Sequence, residues 1–590
     1  MLLKALRRIF ADRTPPPSST TDGAAAAFNN AVLEIHSLIT AGDVVQADER
    51  IARLLATRPS DPDLQFLLGL NALEKADQNG AAAHLENAIA LQPDFGAAHV
   101  QLAQLHDALH EPDRAQQHYE AAIELMPEVG ELHNALGLIH LSRKHLSEAE
   151  SRFLRALELD PGSAAAQNNL GRVYSERKQY DAAIACFAKA IELDPDDVHA
   201  RVNTALALNQ LGDREQALKI FLACRAEVPD HLEVIEGLAT VNFALGRLTE
   251  AEQYYREALA LDGTYANAHF GLANIALVQG DLGSGWEQYE WRMRLPVYAH
   301  NYVSSNPPRH GEPIAGKTLL VSAEQGYGDI LLFVRFLPSL KERGAHVIFR
   351  CHPPLFRLLA TCFDTIRVIE SESGEPVTAD ASVPLLSVAR LLDIGLTDLP
   401  GPIPYLWPPA VLATAWRGKI NATRELRVGL AWGGNVQRAY ERGRVPSMED
   451  FRALAEIPNV AFYNLQLGLD ARDIARFPLP LTDLTANIED FADTAALVEN
   501  LDLVISVDTS VAHLCGAMGK PTWLLHPGVP DWRWEIGSNA SPWYPTVRLF
   551  RRQNEGWAQA FAAIASALKV LAQKHDRSGP KSDALAVPSA

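Results

Sequence analysis

Prolines stand at positions 59, 93, 127, 161, 195 and 229, each 34 residues after the last, and Gly263 takes the next slot. A fixed period of this length signals a row of like supersecondary units, none of which can bury its apolar face without a neighbour. Two more columns keep the same spacing. Small residues hold one slot (Gly69, Ala103, Gly137, Gly171, Ala205, Ala239, Ala273) and a second slot (Ala81, Ala115, Ala149, Ala183, Ala217, Ala251, Gly285). Aromatics run alongside at Tyr119, Phe153, Phe187, Phe221, Tyr255 and Tyr289. Small residues let paired helices approach closely and an aromatic fills the space beside them, so a bulky replacement would overpack the pair by roughly 1–3 kcal/mol. The pattern predicts about eight helix pairs over residues 28–296. The first is degenerate (Ile35, Ala47, Leu54, Pro59), and the last, ending in Gly285-Trp286-Glu287-Gln288-Tyr289-Glu290-Trp291-Arg292, is modified where it meets the next domain.

The period and its columns resemble the tetratricopeptide family. The resemblance implies an α solenoid, a superhelix whose concave face takes peptides or partner helices, with a spacer or dimerisation arm as the alternative. Asp61-Pro62-Asp63 looks like a metal-binding DxD but falls in an inter-repeat turn, so it is not read as a metal site.

Composition narrows the partners. A net charge of −19 disfavours binding to a phosphate backbone, and nucleic acid is not expected. The five cysteines (Cys186, Cys224, Cys351, Cys362, Cys515) are scattered, with no CxxC pair, and read as reduced thiols. No run approaches the ~18 apolar residues of a membrane span, and no signal peptide is recognisable, so a cytoplasmic protein is expected. Residues 1–27 read as disordered or as a short basic amphipathic helix, and residues 574–590 as a disordered tail.

After about Lys317 the period ends, and short apolar runs alternate with helical stretches, as a doubly wound sheet requires. Candidate strands are 318–323, 346–351, 366–369 and 382–386. After a Pro-rich passage (399–409) come 427–432, 460–466, 503–507, 522–526 and 548–551. Two α/β domains follow from this, 297–412 and 413–573, with a ligand cleft between them. A closing amphipathic helix at about 556–573 is expected to fold back across the first of them.

Three loops carry candidate chemistry. Glu324, Gln325, Gly326 and Gly328 form an acceptor-side loop leading to Asp329 at a helix N-terminus, where a carboxylate stays ionised and can take a proton from a hydroxyl. The alternative is that Asp329 only caps the helix. Asp508, Thr509, Ser510 and His513 follow the run Leu503–Val507, where helix N–H groups and two hydroxyls suit a phosphate. An ordinary strand–turn–helix is the alternative. Trp432, Gly434 and Asn435 end a strand before Arg438, Arg442 and Arg444, so backbone can approach a sugar or phosphate and an Arg neutralise it; a solvated basic loop is the alternative.

These loops, with Gly285-Trp286, Tyr289-Glu290-Trp291-Arg292, Asp493-Thr494-Ala495-Ala496, Gly519-Lys520-Pro521, Asp531-Trp532-Arg533-Trp534 and Ser541-Pro542-Trp543-Tyr544-Pro545, resemble the metal-independent GT-B glycosyltransferases. The likeness is to bacterial tetratricopeptide proteins with a heptosyltransferase-like C-terminal half and, more distantly, to O-linked N-acetylglucosamine transferases. It implies two Rossmann-like domains, acceptor first and donor second, and inverting transfer from a nucleotide sugar as co-substrate with no cofactor and no metal. Asp329 would be the base. The family's Asp-Thr-Gly-x-x-His diphosphate motif maps onto Asp508, Thr509, Ser510 and His513, and Gln466 would contact the nucleotide base. Ser510 replaces the family's glycine, which leaves a monophosphate donor such as a CMP-sugar open. Proteins of this organisation include flagellin glycosyltransferases that use CMP-nonulosonic acids, so the resemblance implies a protein acceptor held by the repeats. A glycan- or lipid-directed enzyme and a non-catalytic scaffold are the alternatives.

Overall fold

Every repeat turns its chain with the same local chemistry. In the computed structural model, which describes residues 22–299, 308, 311–395, 399, 403–420, 424–433, 445–468, 474–534, 538–553 and 556–578, the first helix of a pair closes on a residue with positive φ. That residue is Ala76, His110, Lys144 or Lys178 in four repeats and Gly212, Gly246 or Gly280 in the next three, again 34 apart. A left-handed conformation costs an L-residue about 1–2 kcal/mol, which glycine avoids. Asp61 is a helix cap: its Oδ1 accepts from the N–H groups of Asp63 (3.1 Å) and Leu64 (3.3 Å).

The chain divides into two units, 1–207 and 208–590. In the first, antiparallel pairs such as Gly130–Ser142 with Leu146–Leu159 and Ala164–Glu176 with Tyr180–Leu193 stack their apolar stripes. The structure sharpens the small-residue rule, because the glycine of one helix faces the aromatic of its partner directly. A Cβ on Gly137 would lie 2.6 Å from Phe153, and one on Gly171 2.5 Å from Phe187. Alanine is the better helix former by up to about 1 kcal/mol, yet overpacking costs roughly 1–3 kcal/mol. Gly171→Ala is therefore expected to lower the unfolding free energy by about 1 kcal/mol in a urea titration. A higher midpoint would mean that the buried Phe187 ring moves aside at little cost.

The second unit holds the last repeats, from the helix Arg214–Glu227 to Leu282–Tyr289, and two sheets. The first sheet is β1 (Thr318–Ser322), β2 (His346–Cys351), β3 (Arg367–Glu370) and β4 (Ala381–Pro384), all parallel, in the order β3-β2-β1-β4. The second is β5 (Leu426–Ala431), β6 (Val460–Asn464), β7 (Leu481–Asp483), β8 (Leu503–Val507), β9 (Thr522–His526) and β10 (Val547–Arg551), also parallel, in the order β10-β9-β8-β5-β6-β7. Counted from β5 this is the doubly wound 3-2-1-4-5-6 order, with its switch point between β5 and β8. β7 has no counterpart among the expected strands, because it is three residues long and follows Pro478 and Pro480.

The closing helix corrects an expectation. It runs Ala558–Ser578 and packs Phe561, Ile564, Leu568 and Ala572 against Leu426, Val428, Leu430 and Trp432 of the second sheet, not across the first domain. A short connection after β10 leads naturally to the face of the same sheet. No helix among the described residues is long and apolar enough to cross a membrane. The N-terminal amphipathic segment and the end of the tail lie outside the described residues.

Candidate functional site

In a parallel sheet every strand delivers its following loop to one edge. β1 delivers Ala323–Gly326 and then the helix Tyr327–Phe333, with Asp329 in its first turn. β8 delivers Asp508 and Thr509 and then the helix Ser510–Ala517. These two loops meet. A Cβ on Gly328 would sit 2.7 Å from the imidazole of His513, so only glycine allows this approach.

His513 is buried, its Nδ1 3.1 Å from the Tyr544 hydroxyl and its Nε2 3.8 Å from Asp508 Oδ1. Burial lowers its pKa against the opposing pull of Asp508 and Asp329, which favours the neutral ring. Thr509 occupies the cap position of its helix, but its side chain makes no capping bond; its hydroxyl lies 3.2 Å from Ser506 Oγ. Ser510 opens the helix.

The cap position is held by Gly326, and Asp329 stands in the first turn but is engaged by an arginine. Its Oδ1 accepts from Arg533 Nε (2.8 Å) and Nη2 (2.5 Å), while Oδ2 lies outside this pair. Arg533 Nη1 reaches Asp531 Oδ1 at 3.1 Å, and the guanidinium lies 4.2 Å over the Trp532 ring. Burial opposes the charge on Arg533, yet the Asp329 and Asp531 carboxylates raise its pKa well above the usual value. Arg533 received no role from the sequence. The available signal was its position between two tryptophans in the loop after β9.

Glu324 has a different task from the acceptor-side role expected of it. It is 2% exposed, and its Oε1 accepts from Arg292 Nη2 (2.7 Å) and the Leu386 N–H (2.8 Å), its Oε2 from Arg292 Nε (3.2 Å). Arg292, fully buried just past the helix Leu282–Tyr289, also donates to Glu290 Oε1 (2.9 Å) and Ser387 Oγ (2.8 Å). The carboxylate thus ties the repeat end to the first sheet. Trp286 strengthens the tie, packing edge-on against Phe333 (5.6 Å) and Trp532 (5.4 Å). Trp291 instead stacks on His269 at 3.7 Å. Gln325 takes φ of 60° and lies 3.4 Å from the Tyr289 hydroxyl; Gly326 is the extended residue just before the helix.

Trp432 is a second correction. Leu426, Val428, Leu430 and Trp432 alternate onto one face, and the indole packs at 4.3 Å on Phe477 in the core beneath the closing helix. Its side chain belongs to the core rather than to a donor contact. Gln466 lies beyond the end of β6, where its Oε1 accepts from the Gly433 N–H at 2.7 Å. Gly434, Asn435, Arg438, Arg442 and Arg444 lie outside the described residues. Asp493 closes the other side: with Asp490 it holds Arg357 of the first α/β part, and its Oδ1 accepts from Trp416 Nε1 at 2.8 Å.

Models of the tetratricopeptide repeat match residues 164–197 in one case and 100–164, 203–266 and 237–285 in another. The helical half is a tetratricopeptide-repeat array. Protein FlbA of Caulobacter vibrioides is 26% identical over 398 residues, covering 62% of this chain. The chain spans 66% of that relative's length. Solved structures similar to this chain include the APC/C hetero-tetramer Cut9-Hcn1 (19% identity, TM-score 0.36, 41% of this chain and 48% of that one). A tetratricopeptide repeat protein from Parabacteroides merdae is another (18%, TM-score 0.37, 40% and 93%).

Proposed function

We propose that the second unit is an inverting glycosyltransferase of the GT-B type and that the tetratricopeptide array selects a polypeptide acceptor. One observation carries the reading: Gly328 against His513 seats the Gly-Asp loop of the first sheet on the Asp508–His513 loop of the second. That contact puts a carboxylate beside a helix N-terminus, where a phosphate is favoured by oriented N–H groups and by the dipole. In the proposed step Asp329 takes the proton of an acceptor Ser or Thr hydroxyl as its oxygen bonds to the anomeric carbon. The bond from that carbon to the phosphate oxygen breaks, and the nucleotide leaves with the electron pair. Thr509, Ser510 and the first-turn N–H groups of their helix stabilise the leaving phosphate. Gln466 and Gly433 lie at the same sheet edge as Asp508, where a base or sugar would rest.

The 26% identity to protein FlbA runs over 398 residues, more than the repeat array holds, so the likeness extends into the α/β part. Flagellin and a CMP-nonulosonic acid are the first acceptor and donor to try. The test incubates the full chain with purified flagellin and CMP- or UDP-sugars and reads intact mass. A gain of one sugar mass on Ser or Thr is expected. No mass change across acceptors and donors, from protein that melts cooperatively, would overturn the proposal.

A further inference from the structure

We infer that Arg533 is an anion-released latch on Asp329: the phosphate of the donor draws the guanidinium away, so the base is freed only once the donor is seated. The inference rests on the transferase reading above and adds a positioning residue to it. Three of the nitrogens of Arg533 are committed to carboxylates, Nε and Nη2 to Asp329 Oδ1 (2.8 and 2.5 Å) and Nη1 to Asp531 Oδ1 (3.1 Å). Asp531 also accepts from the backbone N–H of Arg533 at 2.9 Å, so this carboxylate is anchored to the loop. Asp329 is the other anchor, from the opposite sheet.

One guanidinium thus serves two carboxylates, and a third anion can compete for it. Guanidinium matches a phosphate as well as a carboxylate, through paired N–H donors. The guanidinium carbon of Arg533 lies 4.2 Å from the centre of the Trp532 ring, a π-face that attracts the cation and steadies it as it moves between anions. The distance it must cover is short, because His513, one turn into the helix that opens at Ser510, packs 5.0 Å from Trp534, the residue after Arg533. While the pair stands, Arg533 occupies Asp329 Oδ1, and its departure when the donor arrives leaves both oxygens of the carboxylate open to an acceptor hydroxyl.

The latch makes an unusual demand on affinity. Donor binding must break the Arg533–Asp329 pair, so Asp329→Asn should bind nucleotide more tightly. The experiment titrates CMP, CDP, UDP and GDP, with cytidine and uridine as uncharged controls, into the full chain by calorimetry. Wild type, Asp329→Asn, Arg533→Gln and the double variant are compared. For the nucleotide that binds, Asp329→Asn is expected to gain about threefold to tenfold and Arg533→Gln to lose about tenfold, with nucleosides unaffected. The decisive arm is the double variant, in which Asp329→Asn should give no gain. A gain that persists without Arg533 would mean simple relief of charge repulsion, and an unchanged or weaker Asp329→Asn would mean a structural pair; either overturns the latch. If Arg533→Gln fails to fold, the cycle is run on Arg533→Lys, which keeps the charge but not the fork and should shrink the gain; an undiminished gain refutes the latch. Wild type that binds none of the four nucleotides removes the transferase reading itself, a different failure.

Discussion

Asp329→Asn is expected to lower sugar transfer by about 10²- to 10⁴-fold, the range that a positioned general base supplies. The amide keeps the size of the side chain and an oxygen for the Arg533 N–H groups but cannot take a proton. Little stability should be lost, because Arg533 retains Asp531 and its stack on Trp532 and both paired side chains keep some solvent contact, 18% for Arg533 and 15% for Asp329. The loss should therefore appear in kcat with the thermal midpoint nearly unchanged. Initial rates at saturating donor, with circular-dichroism melts of the same preparations, make the measurement. Full activity in Asp329→Asn would remove Asp329 as the base and leave it as the anchor of Arg533.

Glu324→Ala acts on folding instead. Glu324 and Arg292 bury a charge pair with side-chain exposures of 1% and 0%. Removing one partner of such a pair leaves the other charge in a poorly solvating interior and typically costs about 3–5 kcal/mol. Here the Leu386 N–H also loses its acceptor. Glu290 and Ser387 still receive the Arg292 fork, which favours the lower part of that range. Glu324→Ala should unfold the second unit at markedly lower urea. Arg292→Met combined with Glu324→Leu should recover much of the loss, because no unpaired ion remains. If Glu324→Ala costs under about 1 kcal/mol, water reaches Arg292 and the junction is looser than its burial indicates.

Local pattern carried the sequence reading a long way. The 34-residue columns, the aromatic of each repeat from Tyr119 to Tyr289 and the strands His346–Cys351, Leu503–Val507 and Thr522–His526 stand where spacing put them. The site was legible in part. Glycine before Asp329 and histidine one turn after Asp508 were visible as loop chemistry, but that Gly328 and His513 touch was not, since 185 positions of chain separate them. The alternation Leu426, Val428, Leu430, Trp432 sets the Trp432 side chain on the buried face, whereas the Trp-Gly-Gly string speaks only of backbone approach and is silent on that face. Glu324 was read by its loop, and its partner Arg292 lies in another structural layer.

What the sequence alone determined is the helix-pair array and the alternation of strand and helix after it, since both follow from interactions between residues a few positions or one repeat apart. The partners of charged side chains were decided by the tertiary structure. Whether Asp329 is a cap, a base or a counter-ion depends on Arg533, which arrives from β9 only when both sheets have formed and their strand ends face each other. Burial then sets the strength of these pairs, because a guanidinium taken out of water must find carboxylates wherever the fold has brought them.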